Sequence, residues 1–254
     1  MKKSLILTLL ILLSLLFILT IYILARKIFI PQYPGMVYIP KGEVVIGSDS
    51  SYPYESPQQK ILLPAFFIDR TEVTNKQYKR FIDETGYPAP PHWKNNTYPK
   101  GEDDYPVVNV SLEDAQAYAK WAGKRLPTEF EWEKAARSSD GRIFPWGNFW
   151  EHNAANTSWL LSFGKIKKVA SHEIDVSPYG CYDMAGNVRE WTISKFEPYP
   201  GYIGDKRYFK PDLYVIRGGS YRLAKNFCFT YRRDAVEKTV KLPDLGFRCV
   251  KDIK

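Results

Sequence analysis

The feature that most constrains this chain stands at its start. Ser4 to Ala25 runs for 22 residues without a charge, through Leu, Ile, Phe, Thr, Ser and Tyr. As a helix such a run is about 33 Å long, enough to cross a hydrocarbon core. A secretory signal peptide has a shorter apolar stretch, roughly 7–15 residues, and a small-residue cleavage site after it. This run instead leaves through Tyr22-Ile23-Leu24-Ala25-Arg26-Lys27. The expectation is an uncleaved anchor over 1–27, in contact with the bilayer through residues 4–25. A linker over 28–35, with Pro31-Gln32-Tyr33-Pro34-Gly35, and one domain over 36–254 follow. Lys2, Lys3 and the amino terminus outweigh Arg26 and Lys27, which favours a cytoplasmic N-terminus. The chain is thus expected to be a single-pass protein of the cytoplasmic (inner) membrane, its C-terminal domain on the periplasmic or extracellular side.

Composition narrows what that domain can be. Aromatic residues make up 15% of the chain, which excludes a disordered or low-complexity polymer. Three cysteines cannot form a disulfide framework and leave at least one thiol unpaired. The net charge of +8 comes from basic residues interleaved with 28 Asp and Glu, so no phosphate-tracking stripe forms and nucleic acid is not an expected partner. Helices are predicted over Asn75 to Thr85 behind Thr74, Ser111 to Ala122, and Thr128 to Ala136. In the last two a Ser or Thr cap has an acid three residues on. Short strands are predicted at 36–39, 43–46, 66–69 and 213–217, with long Pro-, Gly- and Trp-rich connections between them.

Those connections carry an ordered set of segments: Val45-Ile46-Gly47; Glu72 to Tyr78; Pro106 to Ser111; Lys124 to Arg137, reading KRLPTEFEWEKAAR; Phe144-Pro145-Trp146-Gly147-Asn148; Gly180 to Trp191, reading GCYDMAGNVREW; Arg217-Gly218-Gly219-Ser220-Tyr221; and Gly246-Phe247-Arg248. In content and order this set resembles the formylglycine-generating enzyme family, the sulfatase-modifying factor domain, over roughly residues 36–250. The resemblance implies an α+β fold of the C-type-lectin-like kind with sparse regular secondary structure. Fold alone does not fix function, because the family holds copper-dependent oxidases, iron-dependent sulfur-chemistry enzymes and non-catalytic proteins.

The resemblance also implies site residues. A structural calcium would be held by the Asp183 and Glu190 side chains and by the carbonyls of Gly186 and Val188, an oxygen set suited to that ion. A second calcium position would begin near Asn153 and Ala154, with no later acidic ligand matched. The copper enzymes hold Cu(I) with two cysteines five positions apart after the Gly-Gly-Ser. Here the second is Cys228 and the first is Leu223, which ligates nothing. Were the chain an oxidase acting on a cysteine of a sulfatase-type substrate, Cys228 and Ser220 would be its site residues. A lone cysteine between Phe227 and Phe229 reads instead as a small buried hydrophobe. His92, His152 and His172 lack the spacing of an iron-binding cluster. The expected role is therefore that of a pseudoenzyme, an accessory subunit or assembly factor of a membrane protein complex, with calcium but not copper bound. A calcium-dependent carbohydrate-binding module is a further alternative.

Overall fold

The computed structural model describes residues 8, 11–20, 33–158 and 164–253. It divides into two units, Met1–Pro34 and Gly35–Lys254. In the first, residues 11–20 are helical, with their Leu and Ile side chains exposed. The Ser14 and Thr20 hydroxyls donate to the carbonyls of Ile11 and Leu16, so the helix satisfies its own polar side chains. Among the described residues no helix is long and apolar enough to cross a membrane. The remainder of the apolar run (4–7, 9–10 and 21–25) lies outside them, as do the flanking basic residues.

The second unit has nine short strands and three helices among its described residues. Strands β1 (Met36–Ile39), β4 (Phe66–Asp69) and β9 (Val250–Asp252) form an antiparallel sheet in the order β1-β4-β9. Strands β2 (Gly42–Ile46) and β3 (Gln59–Leu63) pair as a separate ribbon. A third sheet runs β7-β6-β5-β8, from β7 (Asp234–Glu237), β6 (Leu213–Arg217), β5 (Arg189–Lys195) and β8 (Leu245–Gly246), with β8 parallel to β5. The helices are α1 (Asn75–Thr85), α2 (Leu112–Trp121) and α3 (Glu129–Arg137).

All three helices begin at reciprocal caps. The Thr74, Ser111 and Thr128 hydroxyls accept from the backbone N–H three residues on, while Gln77, Asp114 and Glu131 accept from the cap residue's own N–H. The predicted helices stand, shifted by at most a residue at each end. Strands β3, β5, β7, β8 and β9 were not predicted. The partner of each is brought to it by the chain's return rather than by a local hairpin signal.

Two of the four apolar clusters among the described residues carry most of the unit's core. One packs Tyr78 and Phe81 of α1 and Tyr118 of α2 against Trp191, Ile216 and Phe247. The other packs Trp132, Ala135 and Ala136 of α3 against Val37, Ile39, Phe66 and Ile68. The polar face of α3 is also buried. Glu129 and Glu133 accept from Arg217 at 2.9 Å each, Glu129 also accepts from Arg233 at 2.9 Å, and Arg137 donates to Glu133 at 2.8 Å. The charged residues of the Lys124–Arg137 segment thus bind together elements with little regular hydrogen bonding of their own. The β5–β6 register sets Glu190 opposite Arg217, bringing the 183–190 loop beside the Gly-Gly-Ser turn.

Candidate functional site

After β6 the chain turns through Gly218 and Gly219, whose φ values of 101° and 69° lie in the left-handed region. The second glycine is also a close approach: a Cβ at Gly219 would sit 2.5 Å from the Cys228 sulfur. Cys228 is therefore packed directly on the turn that carries Ser220. The structure brings these two predicted residues together. Leu223 is joined to the same turn by its N–H, which donates to the Ser220 carbonyl at 3.0 Å.

Neither reactive atom is open. Cys228 and Ser220 have no exposed surface. Cys228 clusters with Ala155 and Ala185 beneath Trp146 and Trp150, and its thiol faces the Ala224 carbonyl at 3.7 Å. Burial pushes that thiol well above the usual range and holds it protonated. Cys181 and Cys249 are likewise buried and unbridged, in two other apolar clusters. The Ser220 hydroxyl donates to Asp244 at 2.7 Å and accepts from the Arg222 N–H at 3.2 Å, while Asp244 accepts from Arg189 at 2.8 Å. Ser220 is thus a positioned hydroxyl with an acid behind it and no imidazole in its hydrogen bonds.

The 183–190 loop builds a different environment. Asp183 and Asn187 adopt φ near 60°, folding a tight turn that presents Gly186 to the Asn156 backbone, where a Cβ would meet the Asn156 carbonyl at 2.6 Å. Glu190 is fully buried; Arg248 donates to both its oxygens at 2.7 Å, and the Trp132 indole donates to one of them at 2.8 Å. Asp183 accepts from the Ala170 N–H at 2.6 Å and stands beside Glu72. Asp175 accepts from the Ala185 N–H at 3.1 Å. Buried oxygens of Glu72 and Asp175 have no hydrogen-bond partner. Burial raises the carboxyls of Glu72, Asp175 and Asp183 above the usual range.

Among the described residues Arg248 is the cation that acts on Glu72, Asp175, Asp183 and Glu190 alike, and burial holds the first three toward their neutral forms, a bias that a bound cation would reverse. Glu190 retains an unused lone pair on the oxygen that accepts only from Arg248. Among the described residues no group of three or more His, Cys, Asp or Glu is arranged to hold a metal, so any ion here would depend on backbone carbonyls for its remaining ligands. The donor chemistry fits a hard cation on that condition.

Asp244, Glu72, Asp175 and Arg248 were not singled out as site residues. Glu72 and Arg248 stand inside the quoted segments and Asp244 two residues before one, yet nothing in one dimension shows that they face Ser220 or Asp183. His92 bonds with Asn109, and His172 with Lys167 and Ser171, in separate places.

The family model for the sulfatase-modifying factor enzyme 1-like domain matches residues 26–253. The chain is 31% identical to a formylglycine-generating enzyme of Bos taurus, over 85% of its own length and 74% of that protein's. It is also 31% identical to a protein of Mus musculus named inactive C-alpha-formylglycine-generating enzyme 2, over 86% of each. Among solved structures, PvdO from Pseudomonas aeruginosa superposes with a TM-score of 0.72 at 24% identity, covering 88% of this chain and all of that one, a likeness of fold.

Proposed function

The chain belongs to the sulfatase-modifying factor enzyme 1-like family, and from that premise we propose that it is a non-catalytic, membrane-anchored member. Its role is that of an accessory subunit or assembly factor of a membrane protein complex. The observation that carries this reading is the state of Cys228. Linear Cu(I) ligation needs two thiolates, and here one protonated, fully buried thiol stands alone with Leu223 at the other position. The chain is as similar to a relative named as inactive as to one named as a formylglycine-generating enzyme, so a non-catalytic member lies within the range of its relatives. The anchor is the apolar run over 4–25, which sets the domain on the periplasmic or extracellular side of the cytoplasmic membrane.

A structural calcium belongs to the same proposal, held by Asp183, Glu190 and the carbonyls of Gly186 and Val188. Its support is the pair of buried, unpartnered carboxyl oxygens of Glu72 and Asp175 close to Asp183. The ion would brace the loop and contribute to folding rather than to chemistry.

The alternative is a copper-dependent oxidase acting on a substrate cysteine, and the packing of Cys228 against the Ser220 turn favours it over the other enzymatic readings. One experiment separates the two. The tagged full chain is extracted in mild detergent, co-purifying proteins are measured for stoichiometry, and the same preparation is titrated with Cu(I) against a chelator. Stoichiometric membrane subunits with no copper uptake are expected; tight Cu(I) binding that disappears in Cys228→Ala would overturn the proposal.

A further inference from the structure

Residues 199–210, between β5 and β6, read Tyr-Pro-Gly-Tyr-Ile-Gly-Asp-Lys-Arg-Tyr-Phe-Lys and form a loop fixed at both ends. At one end Tyr199 is buried and its hydroxyl donates to Glu129 at 3.1 Å. At the other, Phe209 packs on Phe196 with ring centroids 5.0 Å apart, and Tyr202 meets Phe209 edge-on at 5.2 Å. Within the loop, Asp205 caps a turn over Lys206–Tyr208, binds Arg207 at 2.6 Å, and its carbonyl accepts from the Tyr202 hydroxyl. Yet Ile203, at the tip of this braced loop, is 100% exposed. Ile203 adds nothing to packing inside the domain, and with the exposed Tyr208 in the same braced loop it forms an apolar tip rather than a lone surface side chain.

Its surroundings give the solvent it suits. Lys206, Arg207 and Lys210 face only Asp205 among loop charges, with Glu197 and Asp212 just outside. Lys195, Lys206 and Lys210 make no ion pair among the described residues. Two hollows of about 290 and 320 Å³ flank Lys210 and share Phe196 and Leu213 as their apolar floor. An aliphatic tip, tyrosines behind it and lysines at the rim is the order in which side chains sit at a membrane surface. The ten residues 26–35 extend at most about 36 Å, so the proposed anchor would keep the domain close to headgroups. We infer that the loop over 199–210 is a second, interfacial membrane contact, placing Ile203 among acyl chains and Lys206, Arg207 and Lys210 against anionic lipid phosphates. This rests on the anchored reading above.

The test uses the full chain reconstituted into vesicles of phosphatidylcholine and phosphatidylglycerol. A nitroxide is attached at Ile203→Cys or, as an exposed control, at Lys100→Cys; the three native thiols are buried and stay unlabelled. The label at 203 is expected to collide with oxygen severalfold more than with an aqueous nickel chelate, relative to position 100. That excess should shrink when Lys206→Glu and Lys210→Glu are added. Equal access at both positions would overturn the inference, and so would low access to both quenchers, which marks a protein contact instead. Chain that fails to float with the vesicles overturns the anchor and this inference together; floating chain with an aqueous 203 overturns this one alone.

Discussion

Replacing Arg248 by methionine tests how the buried acids are held. Arg248 is fully buried, binds both oxygens of Glu190, and donates to the carbonyls of Asp69, Arg70 and Tyr182 at 3.3, 3.2 and 2.8 Å. Methionine matches much of its apolar length but removes the charge and every donor. Breaking a buried ion pair from one side costs about 3–5 kcal/mol, because the partner is left charged without compensation. A buried carbonyl left unpaired adds about 1–3 kcal/mol, and the short contact to Tyr182 is the one most fully lost. The sum is about 4–8 kcal/mol, a large part of the roughly 5–15 kcal/mol that holds a domain folded. At about 2–4 °C per kcal/mol for a domain of this size, melting should fall by roughly 8–30 °C. Circular dichroism of the full chain in mild detergent reads it. The double variant Arg248→Met, Glu190→Gln removes the stranded charge while leaving an acceptor for the Trp132 indole, and should regain about 2 kcal/mol of that loss. A single variant melting within about 3 °C of wild type, or a double variant no better than the single, would refute the reasoning.

Gly219→Ala should destabilise by about 2 kcal/mol or more, because the new methyl meets the Cys228 sulfur at 2.5 Å and φ is 69°; adding Cys228→Ala should return part of the loss, and denaturant unfolding of both variants checks it. Calcium should raise the melting temperature of the full chain at neutral pH by several degrees over chelator-treated protein, and Asp183→Ala should abolish the difference. In chelator the Asp175 carboxyl, raised by burial, contributes stability that is full below its ordinary unfolded range and is lost as pH rises through its higher folded value. Melting temperature should therefore decline from weakly acidic toward neutral pH, and Asp175→Asn should flatten the decline, as a pH series of thermal scans measures. Leu223→Cys should leave the fold intact at its half-buried position and raise Cu(I) uptake above the wild-type level in competition titration.

Local chemistry was fully legible in one dimension. The helix starts at Thr74, Ser111 and Thr128 depend on side chains three residues apart, so the capping that defines them is complete within four residues of sequence. The absence of a thiol at position 223 is equally a property of the chain alone, and so is the family to which its ordered segments point. What only the tertiary structure decided is which of these segments meet. Ser220 finds Asp244 across 24 positions, Glu190 finds Arg248 across 58, and Asn187 donates to Glu72 across 115. Those pairings follow from how short strands return to one another, and the energy selecting them, the desolvation of charge with or without a partner, exists only once the interior has formed.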